Sequence, residues 1–163
     1  MELQKRRSQR LKGYDYSQNG AYFLTVCVKD KHELLGKIVG GDALITPILQ
    51  LSEYGFIVQK HIENINMAYS DVLVEKYVVM PNHVHLILFI RGMMKASSPT
   101  SAVTPTIVRT LKTMVTKECG TSFWQRSYHD HIIRNEDDYL RIWQYIDENP
   151  LKWAEDEYYC GKS

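Results

Sequence analysis

The residues best suited to chemistry lie in Met80-Pro-Asn-His-Val-His85. Side chains alternate along a strand, so His83 and His85 would share one face, about 6.5 to 7 Å apart along it. Two imidazoles so placed can hold one metal ion, but core or surface histidines give the same pattern. A metal with two protein ligands needs a third from another element. One source is Tyr128-His-Asp-His131, a second H-x-H pair that with the first would form a zinc or di-metal hydrolase site. The other is the amide oxygen of Asn149.

Asn149 ends a segment whose apolar residues Tyr139, Ile142, Trp143 and Ile146 recur at helical spacing. At about 100° per residue, Tyr145 and Asn149 fall at about −120° and −80° from Tyr139. Both therefore sit on the border of the buried stripe, one turn apart. A tyrosine there can turn its hydroxyl into a cleft beside a metal. Eleven tyrosines make packing the ordinary role of any one of them, so position alone does not assign Tyr145.

The elements that must position these groups follow from pattern. Ala21 to Val28 reads as a buried strand, and a second extended piece spans Leu34 to Val39, stopped by Gly40-Gly41. Ile48, Leu51, Tyr54, Gly55, Val58 and Ile62 recur at helical spacing. Val72 to Met80 and His83 to Ile90 are strands joined by a Pro81-Asn82 turn. Thr104 and Pro105 read as the cap and first position of a helix burying Ile107, Leu111, Met114 and Val115. Its outer face carries Arg109, Lys112 and four threonines, a surface suited to phosphate. Phe123 to Arg134 reads as a strand, and Asn135 as the cap of a helix stopped at Pro150. The order β-β-α-β-β-α-β-α implies an α+β domain with a mostly antiparallel sheet.

A chain of 163 residues with 44% hydrophobic and 24% charged residues can bury a core of its own, which excludes a mainly disordered chain or a disulfide scaffold. Cys27, Cys119 and Cys160 form no C-x-x-C pair and fit a reducing cytoplasm. The sequence shows no secretory h-region and no run of about 18 apolar residues, so the expected location is cytoplasmic, with no membrane span.

The net charge of +1 conceals an asymmetry. Lys5, Arg6, Arg7, Arg10 and Lys12 face only Glu2 in the first twelve residues, and five basic residues with no acid run from Arg91 to Lys117. Between Asn135 and Glu157 eight acids stand against Arg141 and Lys152. Such blocks fit a polyanion partner on one side of the molecule, or simply solvated faces. The reading is a basic arm at 1–13, one domain at 14–151 and a tail at 152–163.

Met80-Pro-Asn-His-Val-His85 together with Tyr145-Ile-Asp-Glu-Asn-Pro150 resembles the HUH single-tyrosine, IS200-like transposases, and more closely the REP-associated tyrosine transposases (RAYT). Arg7-Ser-Gln-Arg-Leu11, Tyr14-Asp-Tyr-Ser17, Tyr22-Phe-Leu-Thr25 and Trp124 to Arg134 match as well, so the resemblance spans about residues 6 to 151. It implies a ferredoxin-like or RRM-like antiparallel sheet flanked by helices, acting on single-stranded DNA hairpins formed by palindromic repeats. It also implies that His83 and His85 bind Mg²⁺ or Mn²⁺, with Tyr145 as nucleophile and the residue one turn on as third ligand. That residue is glutamine in the smaller insertion-sequence relatives and Asn149 here, a shorter amide that requires a closer helix.

Tyrosine's phenol has a pKa of about 10, so a neighbouring cation would favour its phenolate. Attack would leave a 5′-phosphotyrosine and a free 3′-hydroxyl, conserving the bond for rejoining. Arg6, Arg7, Arg10, Arg109 and Lys112 are the expected phosphate contacts. A homodimer is possible by resemblance, since the short relatives share active sites. Two other readings stand beside this one: a hairpin-binding module of the same fold that does not cleave, and the zinc hydrolase. His129, Asp130 and His131 have no part in the tyrosine chemistry and read as structural hydrogen-bonding groups.

Overall fold

The computed structural model describes residues 20–41, 45–90 and 100–161, with side chains from Val103 onward in the last stretch. Arg6, Arg7 and Arg10 lie outside the described residues. Among the described residues, six strands and three helices follow in the order β1 (Ala21–Cys27), β2 (Gly36–Val39), β3 (Ile48–Leu51), α1 (Glu53–Ala68), β4 (Val72–Val79), β5 (His83–Ile90), α2 (Thr100–Cys119), β6 (His129–Ile132) and α3 (Glu136–Glu148). Four strands form one sheet in the order β4-β5-β1-β6, every neighbour antiparallel, while β2 and β3 make a separate ribbon. Without that ribbon the chain is β-α-β-β-α-β plus a third helix, the ferredoxin-like arrangement anticipated above.

The period-two pattern of the central strands divides the core. Tyr22, Leu24 and Val26 of β1 and Val84, Leu86, Leu88 and Ile90 of β5 face α1 and α2, packing on Val58, Ile62, Ile107, Leu111 and Val115. Ala21, Ile87 and Phe89 face the other way, onto Tyr139, Ile142 and Ile146 of α3. Since α3 covers only that end of the second face, the end holding His83 and His85 is left for other groups to close.

Four local expectations change. Ile48 and Leu51 belong to β3, and α1 begins after them because Ser52 caps it, its hydroxyl accepting from Gly55 N at 3.1 Å. Gly55 is required there: a Cβ would lie 2.0 Å from the Leu35 carbonyl oxygen. Helix α2 starts at Thr100, with Pro105 inside it. Proline's fixed φ suits a helix, and near the start it forfeits a single bond to the carbonyl four residues back. Met114 is 43% exposed, and Val108 takes the inward place. The strand expected from Phe123 shrinks to β6, with one isolated bridge between Val28 and Trp124. Lys112 accounts for the loss, because its ammonium donates to the carbonyls of Gln125, Arg126 and Ser127 at 2.8, 3.4 and 3.1 Å and holds that stretch as a loop.

Candidate active site

Register places the two histidines. His85 lies opposite Thr25 and His83 opposite Cys27 across the β1–β5 ladder, so both imidazoles rise from the middle of the sheet on the α3 face. Their ring centroids are 4.5 Å apart and they are 0% and 1% exposed. Burial holds the His83 pKa down at about 4 despite the opposing influence of the Asp156 charge and Asn149. Burial, and then His83, hold His85 well below the usual histidine value. Both rings are therefore neutral near pH 7, the form in which imidazole ligates a metal.

The tautomer of His83 is set by its neighbour. Asn82 Nδ2 donates to the carbonyls of Lys31 and Tyr158 at 3.2 and 2.8 Å, which leaves Asn82 Oδ1 to accept from His83 Nδ1 at 2.8 Å. With the proton on Nδ1, Nε2 carries the free lone pair. Thr25 Oγ1 stands 2.8 Å from Nδ1 of His85, and the hydroxyl of Tyr145 stands 3.5 Å from its Nε2.

Helix α3 brings the remaining groups. Asn135 caps it as expected, accepting from Asp138 N at 2.8 Å, and Tyr139, Ile142 and Ile146 anchor it on the sheet. Tyr145 is 40% exposed at the border of that stripe and lies edge-on to both Phe23 and His85. Asn149, at the helix C-cap, is buried. Beside Tyr145 opens a cleft of about 340 Å³ lined by Arg141, Gln144, Glu148, Lys152 and Glu155. Burial pushes the Tyr145 phenol up to about 12, and the charges of Asp156 and Glu157 add to the effect.

Four buried side-chain atoms among the described residues lack a hydrogen-bond partner, and two of them, His83 Nε2 and Asn149 Oδ1, belong here. An unpaired lone pair in the interior is costly. Two lone pairs in one site, beside Nε2 of His85, are what a divalent cation would satisfy, so the residues present fit such an ion.

The second H-x-H pair does not join them. His129 and His131 are on the same sheet face, opposite Thr25 and Phe23, but on edge strand β6 and exposed. His131 Nε2 pairs with Asp138 at 2.7 Å. Among the described residues no three His, Cys, Asp or Glu side chains gather to hold a metal ion, so the two pairs form no joint zinc site. Arg109 is exposed on α2 as expected, whereas Lys112 is spent on carbonyls and burial lowers its pKa. An open groove beside it adds Lys117 and Arg126 to the cationic face.

The sequence reading missed several groups. Asn82 was legible as a turn residue, and only the fold shows it behind His83. Residues 152–161, set apart above as a tail, turn back over the site: Trp153 and Asp156 are buried, and the Tyr158 ring lies 4.4 Å from that of His83. No local signal in the sequence marks that return.

A buried pair of neutral imidazoles on an antiparallel sheet, with a tyrosine and an amide delivered by one helix, defines an α+β domain with a candidate metal site and a candidate nucleophile. Residues 16–149 match the family described as "Transposase IS200 like", and the chain belongs to that family. It is 36% identical to an uncharacterized protein of Haemophilus influenzae, over 96% of this chain and 94% of that protein. Its fold is similar to that of a REP-associated tyrosine transposase solved with a REP hairpin, with a TM-score of 0.61, 22% identity, and coverage of 86% of this chain and 72% of that one. The family and fold expectations are met.

Proposed function

We propose that this transposase-family protein is a metal-dependent nickase and strand transferase that acts on single-stranded DNA beside hairpins, with Tyr145 as nucleophile. One observation carries the reading: the Tyr145 hydroxyl stands 3.5 Å from His85 Nε2, in the site where His83 Nε2 and Asn149 Oδ1 are buried without partners. His83, His85 and Asn149 would hold Mg²⁺ or Mn²⁺. The ion, when bound, would polarise the scissile phosphate and offset the negative charge of Asp156 and Glu157 around the phenol.

Everything else falls to the chain's own groups. The Tyr145 oxygen attacks phosphorus, the bond to the 3′-oxygen breaks, and that strand leaves as a 3′-hydroxyl while the 5′ end stays on the tyrosine. Attack by another 3′-hydroxyl reverses the step without an external energy source. His85 cannot be both ligand and base through Nε2, the nitrogen that faces the phenol, since Nδ1 is engaged by Thr25. The exposed cations Arg109, Lys117 and Arg126, with Arg6, Arg7 and Arg10 of the arm, would contact phosphates. Hairpin DNA as the partner rests on the family resemblance and on the hairpin held by the structural neighbour.

A second reading, a hairpin-binding module that does not cleave, is favoured by the near-complete burial of both imidazoles beneath residues 153–158. Incubating an end-labelled single-stranded hairpin with the protein and Mn²⁺ or Mg²⁺ separates the two. The nickase yields a denaturant-resistant adduct that chelation and Tyr145→Phe both abolish. The binding module retains the hairpin without metal and gives no adduct.

A further inference from the structure

An asparagine amide presents an oxygen and an NH₂ group of nearly equal size, so Asn149 is a metal ligand only if something turns its oxygen inward. Asp156 does so. Its Oδ2 accepts from Asn149 Nδ2 at 2.5 Å, and both side chains are buried, at 7% and 3% exposure. A carboxylate only accepts, so the NH₂ group must face Asp156. Asn149 Oδ1 is thereby aimed the other way, where it is buried without a partner, as is Nε2 of His83.

Asp156 is held in turn. Its Oδ1 accepts from the Tyr158 backbone N–H at 2.8 Å, and its own N–H donates to the Trp153 carbonyl at 3.0 Å. Trp153, 6% exposed, fixes that turn, its ring 6.0 Å from the ring of His83. Both hydrogen bonds that the carboxylate accepts come from neutral N–H groups. A buried negative charge so placed calls for a nearby cation. His83, His85 and Asp156 do not themselves gather as a three-ligand group, which argues against direct ligation by the carboxylate.

We propose that Asp156 is a positioning residue of the metal centre, orienting the Asn149 amide as Asn82 orients the His83 imidazole. The inference rests on the metal-binding reading above. It makes residues 152–161 part of the site, and each of these two ligands then has a fixed partner behind it.

The test is Mn²⁺ binding to the full-length, metal-stripped protein, read by titration calorimetry and by the Mn²⁺ electron-spin signal, with folding checked by circular dichroism. Asp156→Ala should weaken Mn²⁺ binding about 10- to 100-fold. Asp156→Asn, which keeps an acceptor for Nδ2 but not the charge, should recover part of that loss. In an Asn149→Ala background, Asp156→Ala should cost less than it does in the wild-type protein, because the part of its effect that passes through Asn149 is already gone. Asp156→Leu fills the same space without an acceptor and carries the comparison if alanine loosens the turn. Binding by Asp156→Ala as tight as wild type, or tighter, would overturn the proposal and leave residues 153–158 as a mere cover. Additive losses in the double variant would overturn it too, making Asp156 an independent ligand. If the wild-type protein binds no Mn²⁺, or if His83→Ala binds it equally well, the metal-binding reading itself fails and this inference with it.

Discussion

Two H-x-H pairs stand on one face of one sheet and come to opposite ends. His83 and His85 are on β5, an inner strand, fully buried, with Asn82 and Thr25 against their Nδ1 atoms. His129 and His131 are on edge strand β6, exposed, and His131 is tied to Asp138 of α3. Spacing is identical, so it cannot be what makes a site. What differs is the company that the fold provides: burial that keeps the rings neutral, a fixed tautomer, and a helix that delivers Tyr145 and Asn149 to one pair only.

The largest effect is expected at the proposed ligands. His83→Ala or His85→Ala should bring hairpin cleavage down to background in a labelled-strand assay. The same change at His129 or His131 should leave cleavage within about twofold, as for an exposed group outside the site. Equal losses at both pairs would dissolve the distinction.

A smaller effect is expected behind the proposed ligands. Asn82→Leu frees the His83 tautomer and should weaken Mn²⁺ binding about 10- to 100-fold, measured by calorimetry.

The pH dependence sharpens the contrast further. His83 titrates at about 4 when folded, against about 6.5 when unfolded. Between those values the unfolded chain binds more protons, so stability should fall as pH drops from about 6.5 towards 4. Melting of metal-free protein across that range should show a shallower slope in His83→Gln than in wild type.

The smallest effect belongs to the edge pair. His131→Ala breaks a half-exposed pair with Asp138 and should cost about 1 kcal/mol or less in denaturant unfolding.

The same contrast measures what the sequence carried. Met80 to Ile90 announced a strand with both histidines on one face, because alternation is a local property. Asn135, the Tyr139–Ile142–Ile146 stripe and the border position of Tyr145 and Asn149 were equally legible, since helical angle is local too. Asp130 could be separated from its flanking histidines by the same alternation. What could not be read was long-range: that Lys31 and Tyr158 carbonyls turn the Asn82 amide, that Asp156 reaches Asn149, and that Lys112 abandons the outer face for three carbonyls. Those contacts depend on how distant segments pack, and no period in the chain encodes them. Pro105 and Ile48 misled for a related reason, as local signals of start and spacing were overridden by the elements around them.

Tyr145 is proposed as the residue that takes the DNA. Tyr158 is the natural rival, since it too lies beside His83, with a phenol pushed up chiefly by burial. Forming the adduct with a single-stranded hairpin and Mn²⁺, digesting it, and sequencing the nucleotide-bearing peptide by mass spectrometry decides between them. The expected product is a 5′-phosphate ester on Tyr145 alone. An ester on Tyr158, or an adduct that persists in Tyr145→Phe, would contradict it.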